Sequence, residues 1–388
     1  MSKWLKKHEL LLKDAFFSTI FCLFLTLILA LVIVNLSFLN PFKEAFKDFS
    51  FTDIYYSERI QEQSISQDIV LINIENRDRF ELALLLESIL DENPKVVGID
   101  AIFRDPKDSL KDAYLAQQLR NQKVISAINF DKDGIIRTHE SLQPAKERFI
   151  NISFDTKSKV VRTFETFHEQ NNRVDTSFVA SIAKTYGATL PYAILEDEQF
   201  IKYTGNYKSF LHFGFDELML LEDKKILKDK IVLLGYLGVP TGNKFDVEDK
   251  FFTPLNPSTS GKSLPDMFGV VAHANILKMI LENDFIIKLP KVFSWMLNFG
   301  SVFLFMIFSL KLEKRGEIYN RTFKWLILFL YTAILLYLHL MVYDKGIYFN
   351  VFSIIALTGI SANMFIFYVH FLKLIKSKIQ WKSYLDSN

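Results

Sequence analysis

Four stretches of the chain stay apolar for longer than a buried helix or strand of a soluble domain requires. They cover residues 15–40 ("AFFSTIFCLFLTLILALVIVNLSFLN"), 292–310, 325–343 and about 346–372. Each is long enough to cross the roughly 30 Å hydrocarbon layer as a helix, which takes about 20 residues. The first run is too long for the apolar part of a cleavable leader. It also ends in the bulky Leu36, Phe38 and Leu39, so it is expected to remain as an anchor.

Between residues 41 and 290 the apolar runs shorten. "FKEAFKDFSFTDIYYSERI" has helix-like spacing and is expected to pack on the domain or extend the first span. "DIVLINIE" (68–75), "KVVGIDAIF" and "KVISAINF" are continuous apolar runs of the kind expected for strands buried on both faces. "RFELALLLESILDEN" places Leu82, Leu85, Leu86 and Ile89 on one helical stripe and is stopped by Asn93 and Pro94. "DSLKDAYLAQQLRNQ" reads as a second helix with an Asp or Ser cap. Strands alternating with such helices predict right-handed crossovers and a parallel sheet. Farther on, "RFINISFD" and "VVRTFETFHEQ" alternate like half-exposed strands joined at "TKSK". "DTSFVASIAKTYG" reads as a capped helix ended by Gly187, "FIKYTGNY" as a strand and "LKDKIVLLGYLG" as a last buried strand. The expected fold class is α/β: a mixed, partly parallel sheet with crossover helices in an extracytoplasmic domain, plus four transmembrane helices, one before and three after.

Charge orients these pieces. Lys3, Lys6, Lys7 and Lys13 precede the first span, Lys311, Lys314, Arg315, Arg321 and Lys324 separate the second from the third, and Lys373, Lys376, Lys378 and Lys382 follow the fourth. Positive residues near membrane ends stay on the cytoplasmic side. The organisation expected is therefore a cytoplasmic basic start (1–14), a first span (15–40), a periplasmic domain (41–290), a second span (291–310), a basic cytoplasmic loop (311–324), a third (325–343) and fourth (346–372) span, and a cytoplasmic tail (373–388). A net charge of +2 gives no basic field for nucleic acid. The only cysteine, Cys22, lies in the first span, so the outer domain has neither a disulfide nor a thiolate metal site. This fits the inner membrane of a bacterium, with both termini in the cytoplasm.

Few residues point to chemistry. The Gly261-Lys262-Ser263 triplet lacks the glycine five positions earlier that a phosphate loop needs, since Asn256 stands there, and Pro265 interrupts at once. Gly235, Gly238 and Gly242 do not make a dinucleotide fingerprint. No histidine pairs with a second ligand at metal spacing, and no serine has a positioned base. His273 is read as a buried histidine bonded to backbone or to Asp249. Glu75 and Asp100 end the first two strands, so they project at the carboxyl edge of the sheet, where α/β proteins bind ligands. The pair suits a capping rim better than a glycosidase-like acid pair. Gly359, Ser361 and Asn363 in the fourth span suit helix contacts.

Taken in order, "DIVLINIE", "GIDAIF", "VVRTFETF" before "TSFVASIAKTYG", "IKYTGN", "LKDKIVLLGYLG", "DKFFTP" and "FGVVAHANILKMIL" resemble the type-2 CHASE sensor domains. These are extracellular modules of bacterial receptors set after one span and before a cluster of three. The resemblance implies a turn that couples the domain to the next span, carried here by Asp249, Thr253, Pro254, Gly269, His273 and Asn275. The carboxyl edge of the sheet itself offers Glu75, Asn76, Asp100 and Arg104 as the expected ligand residues. "NPSTSGKSLPD" is a longer insertion than such domains carry. The short tail has no room for an output enzyme, so output is expected from a separate cytoplasmic or membrane effector. The protein is read as a non-enzymatic sensor without cofactor or metal, in contact with membrane lipid, consistent with a homodimer. The alternative is a scaffold subunit of an envelope complex.

Overall fold

Uninterrupted apolar runs fold here as parallel strands covered on both faces. The computed structural model describes residues 3–34, 56, 65–131, 134–150, 152–154, 160–170, 173–191, 198–239, 247–256 and 264–387. The chain divides into two units, Met1–Lys43 with Ile287–Asn388, and Glu44–Ile286. The first element, helix α1 (Lys3–Val34), belongs to the former.

The unit Glu44–Ile286 opens with β1 (Ser66–Asn73), α2 (Arg79–Asp91), β2 (Val96–Ile99), α3 (Ser109–Leu119) and β3 (Val124–Asp131). Short strands follow: β4 (Gly134–Ile136), β5 (Glu147–Phe149), β6 (Ile152–Phe154), β7 (Val161–Phe164), β8 (Phe167–Gln170) and β9 (Arg173–Thr176). Then come α4 (Phe178–Tyr186), β10 (Gln199–Phe200), β11 (Phe210–Phe213), α5 (Phe215–Leu220), β12 (Ile231–Gly235), β13 (Lys250–Phe251), β14 (Met267–Phe268) and α6 (Gly269–Leu281). Among the described residues the main sheet runs β11-β1-β12-β2-β3-β4, with β5 also on β3. Each of its pairings is parallel except β3 with β4.

Strand residues alternate between two apolar layers. Val70, Ile72, Val97, Ile99, Val232 and Leu234 join Leu85, Leu86 and Ile89 of α2 and Leu115 and Leu119 of α3 in one cluster. The opposite face packs on α4 and α6. Fully burying one such side chain contributes about 1.5–3 kcal/mol. Gly98 fits that second face because a Cβ there would stand 2.6 Å from Ile182 Cδ1 and 2.8 Å from Phe178 Cζ.

The helices start where their caps stand. Asp78 and Glu81 form a capping box for α2, Asp108 caps α3, and Ser177 caps α4, which ends at Gly187 with φ 107°.

Two expectations need correction. "FIKYTGNY" is strand only at β10, because residues 201–205 leave the pairing to meet α6. "VVRTFETFHEQ" is two strands in two different small sheets, broken at Glu165 and Thr166, with β6 and β10 on β7 and β9 on β8. The amphipathic stretch after the first span and the Gly261-Lys262-Ser263 triplet lie outside the described residues, Tyr56 apart.

The other unit holds α1, β15 (Ile287–Lys288), α7 (Lys291–Arg315), α8 (Glu317–Asp344), β16 (Ile347–Tyr348) and α9 (Val351–Lys378). All four of these helices are long and apolar enough to cross a membrane. The last begins later than the apolar run suggests. Gly346 turns with φ 76°, Ile347 and Tyr348 pair in parallel with β15, and Asn350 caps α9 at Ser353 N.

Polar contacts tie the helices together. Ser301 meets Thr358 at 2.7 Å and also Tyr331, Thr26 meets Ser361 at 3.3 Å, and Lys324 Nζ donates to Asn363 at 3.0 Å. Beyond α9 the chain folds back, and Asp14, buried in α1, accepts hydrogen bonds from Ser383 Oγ at 2.6 Å and Tyr384 N at 2.7 Å.

Candidate functional site

Parity along the strands decides which edge residues meet. Asp100 continues the face of Val96 and Gly98, and its backbone N–H still bonds to Leu234 O at 2.8 Å, so its side chain turns under α4 and α6. His273 lies one turn into α6, edge-on to the Phe178 ring at a centroid distance of 5.4 Å. Its Nε2 is 3.8 Å from Asp100 Oδ2, with both side chains almost wholly buried. This is a close contact but longer than a hydrogen bond. The Nδ1 of His273 is buried without a hydrogen-bond partner among the described residues.

Asp249 completes the cluster. Its backbone adopts φ 53°, a left-handed conformation that a non-glycine residue takes only where its surroundings enforce it. Its carbonyl accepts from Gly269 N at 3.1 Å, at the amino end of α6. The carboxylate oxygens lie 3.3 Å from where a Gly269 Cβ would stand, and Phe251 lies at 3.2 Å, so glycine is what lets the helix start this close.

Electrostatics follow from burial. Desolvation raises Asp100 well above the usual carboxylate range. Asp249 is exposed as a residue, yet its carboxyl is also raised, first by desolvation and then by the Asp100 charge. Desolvation lowers His273 to about 4. Near neutral pH the cluster is thus a neutral imidazole beside two acids that resist losing both protons together.

Other residues picked out from the sequence are placed differently. Glu75, also left-handed at φ 50°, is held by Arg77 through Oε2 at 2.9 Å and accepts from Phe215 N through Oε1 at 3.3 Å. Its oxygens organise the start of α5. Asn76 and Arg104 are exposed. Thr253, beside the buried Pro254, bonds to Asp266 through both N and Oγ1, at 2.8 and 2.5 Å. Asn275 is fully buried. Its Oδ1 accepts from Thr204 N at 2.8 Å, and its Nδ2 donates to Gly205 O at 3.0 Å and Val271 O at 2.9 Å. Asn275 thereby fastens the 204–205 loop to α6.

Several organising residues escaped the sequence reading. Arg79 and Asp112 form a buried pair at 2.5 Å, and Arg79 also holds Asp105 O, fixing the loop after Asp100. The structure pairs His273 with Asp100, where the sequence pointed to Asp249 or backbone. Asp100, an acid ending an apolar strand, and His273 with Asp249 were each visible in the sequence, but the meeting of Asp100 with His273 was not. Among the described residues no group of three or more histidine, cysteine or acidic side chains is arranged to hold a metal.

No curated protein and no solved structure matches the chain. Residues 25–311 match the CHASE2 domain. That match runs from within α1 through the whole sheet and its edge cluster to α7, and the chain belongs to the CHASE2 domain family.

Proposed function

We propose that the protein is a non-enzymatic, multi-pass membrane sensor of the bacterial inner membrane. Its sheet domain faces the periplasm and both termini lie in the cytoplasm, where a separate effector is engaged. The input is a ligand or partner acting at Asp100, Asp249 and His273, and α6 passes the change along the chain to α7. The observation that carries this reading is the convergence, at the start of α6, of the buried Asp100 side chain and of Asp249 with His273, whose buried Nδ1 has no hydrogen-bond partner among the described residues. Ile287, which opens β15, follows soon after Leu281, the last residue of α6, so movement of α6 is tethered to the spans through the backbone itself. A bound group acts by favouring one of two arrangements, and its effect is limited to its difference in affinity for them.

The reading is tested in the full chain reconstituted in nanodiscs, with trypsin access to the tail after α9 as the output. Asp249→Asn keeps the volume and removes the charge. It is expected to change the rate of cleavage at Lys382, whereas an unchanged rate in a folded variant contradicts coupling. Orientation is tested by placing a cysteine at Leu110, which is 72% exposed, in a Cys22→Ala background. An impermeant maleimide is expected to reach it from outside the cytoplasm.

A scaffold reading is favoured by one surface. Phe80 and Tyr114 stand edge to face at 5.3 Å beside exposed Leu84 and Leu110 on α2 and α3. A stoichiometric protein partner lost on Tyr114→Ala would support that reading.

A further inference from the structure

Between α1 and α9 lies an open cleft of about 380 Å³, walled by Phe17, Phe21 and Phe24 on one side and Tyr368, Phe371 and Ile375 on the other. Both walls are helical stripes spaced by three or four residues. Phe21 stacks on Phe371 at 4.8 Å and Phe17 meets Trp381 edge-on at 5.1 Å, so Trp381, just beyond α9, closes one end. Phe17, Phe24 and Phe371 remain 43%, 59% and 41% exposed. In helices of spanning length, such a surface faces acyl chains, and a cleft lined by aromatic and aliphatic carbon does not hold water.

The closed end is basic. Lys13 lies one turn before Phe17, and its Nζ sits 4.1 Å over the Trp381 ring and donates to Lys382 O at 2.7 Å. Its ammonium has three donors, so capacity is left for another acceptor. Lys378, three residues after Ile375, and Lys382 are both exposed. Two acids of this end are engaged elsewhere, Asp14 by Ser383 and Tyr384 and Asp386 by Lys376 at 2.6 Å.

From this juxtaposition of an apolar cleft with a lysine-rimmed end, we propose that the α1–α9 cleft binds an anionic phospholipid. The acyl chain lies along Phe21 and Phe371, and the phosphate sits at Lys13, Lys378 and Lys382. The proposal rests on reading α1 and α9 as membrane spans. A lipid held here would brace the tail segment through Trp381.

The test uses the full chain extracted in mild detergent and incubated with equal amounts of phosphatidylglycerol and phosphatidylcholine of matched acyl chains, with retained lipid counted by native mass spectrometry. Phosphatidylglycerol is expected to be retained preferentially. Lys13→Gln, at a half-buried position, and Lys378→Gln, at an exposed one, should each lower that preference about five-fold while leaving total lipid nearly unchanged. Ile20→Trp, which narrows the cleft, should reduce retention of both lipids. Equal retention of the two lipids by the unaltered chain, a preference untouched by the lysine changes, or a lipid-free dimer would overturn the site. A chain that stays soluble without detergent would instead overturn the span reading.

Discussion

His273 Nε2 stands 3.8 Å from Asp100 Oδ2, a contact that joins α6 to the end of β2 inside a nearly dry layer. Neither group can take up charge there cheaply. That makes the edge of the sheet sensitive to whatever supplies, removes or shields a charge.

The first consequence is a dependence of stability on pH. Asp100 and Asp249 are raised, so the native state holds their protons more tightly than the unfolded chain. Their contribution is full below the ordinary carboxylate range, about 4, and is lost as pH rises through the raised values. His273, lowered to about 4, acts oppositely: between about 4 and its ordinary 6.5 the unfolded chain binds the extra proton, so stability there rises with pH. Above 6.5 only the acids still act. Asp100→Asn is therefore expected to gain about 1 kcal/mol on the unaltered protein between pH 6.5 and 8, seen as a widening difference in melting temperature. A constant difference across that range would contradict the assignment.

Packing gives a second expectation. A Cβ on Gly235 would stand 2.6 Å from Val270 Cβ, so Gly235→Ala must push α6 off β12. The expected cost is about 1–3 kcal/mol. Val270→Ala in the same chain should recover part of it, with a coupling of about 1 kcal/mol in a double-mutant cycle of denaturant midpoints. Strict additivity would show that α6 is not held at this point.

Asn275 supplies a third. Asn275→Leu keeps the volume but strands Thr204 N and Gly205 O inside the protein. A loss of about 2–4 kcal/mol is expected in chemical denaturation. A loss below about 0.5 kcal/mol would mean that water replaces the amide.

At the far end of the chain, Asp14→Ala removes the acceptor for Ser383 and Tyr384. Trypsin cleavage after Lys382 is expected to quicken about ten-fold or more, as the open tail becomes more populated. An unchanged rate would leave Lys314, which bonds to Tyr384 O and Ser387 Oγ, as the main restraint.

Much of the fold was legible because burial on both faces leaves an unmistakable record. Val70 to Ile72, Val96 to Ile99 and Ile231 to Leu234 are strands in the structure as in the pattern. The edge strand β11 was missed because Phe210–Phe213 is short and contains His212. It is a strand through pairing with β1, a contact remote in sequence. The site was legible in part for the same reason. Asp100 was visible as an acid ending an apolar strand, but its meeting with His273 depends on how α6 returns across the sheet. Asp14, buried under the tail, and the half-buried Asp266, which holds Thr253, carry no local signal at all.

The central claim is that charge at the Asp100–Asp249–His273 cluster moves α6. Hydrogen–deuterium exchange of the full chain in nanodiscs, corrected for intrinsic rates and followed from pH 6.5 to 8, tests it most directly. Amides 269–281 of α6 are expected to lose protection as the acids ionise, while α2, on the opposite face of the sheet, keeps its own. Protection that is constant in α6, or that falls equally in α2 and α6, would contradict the account.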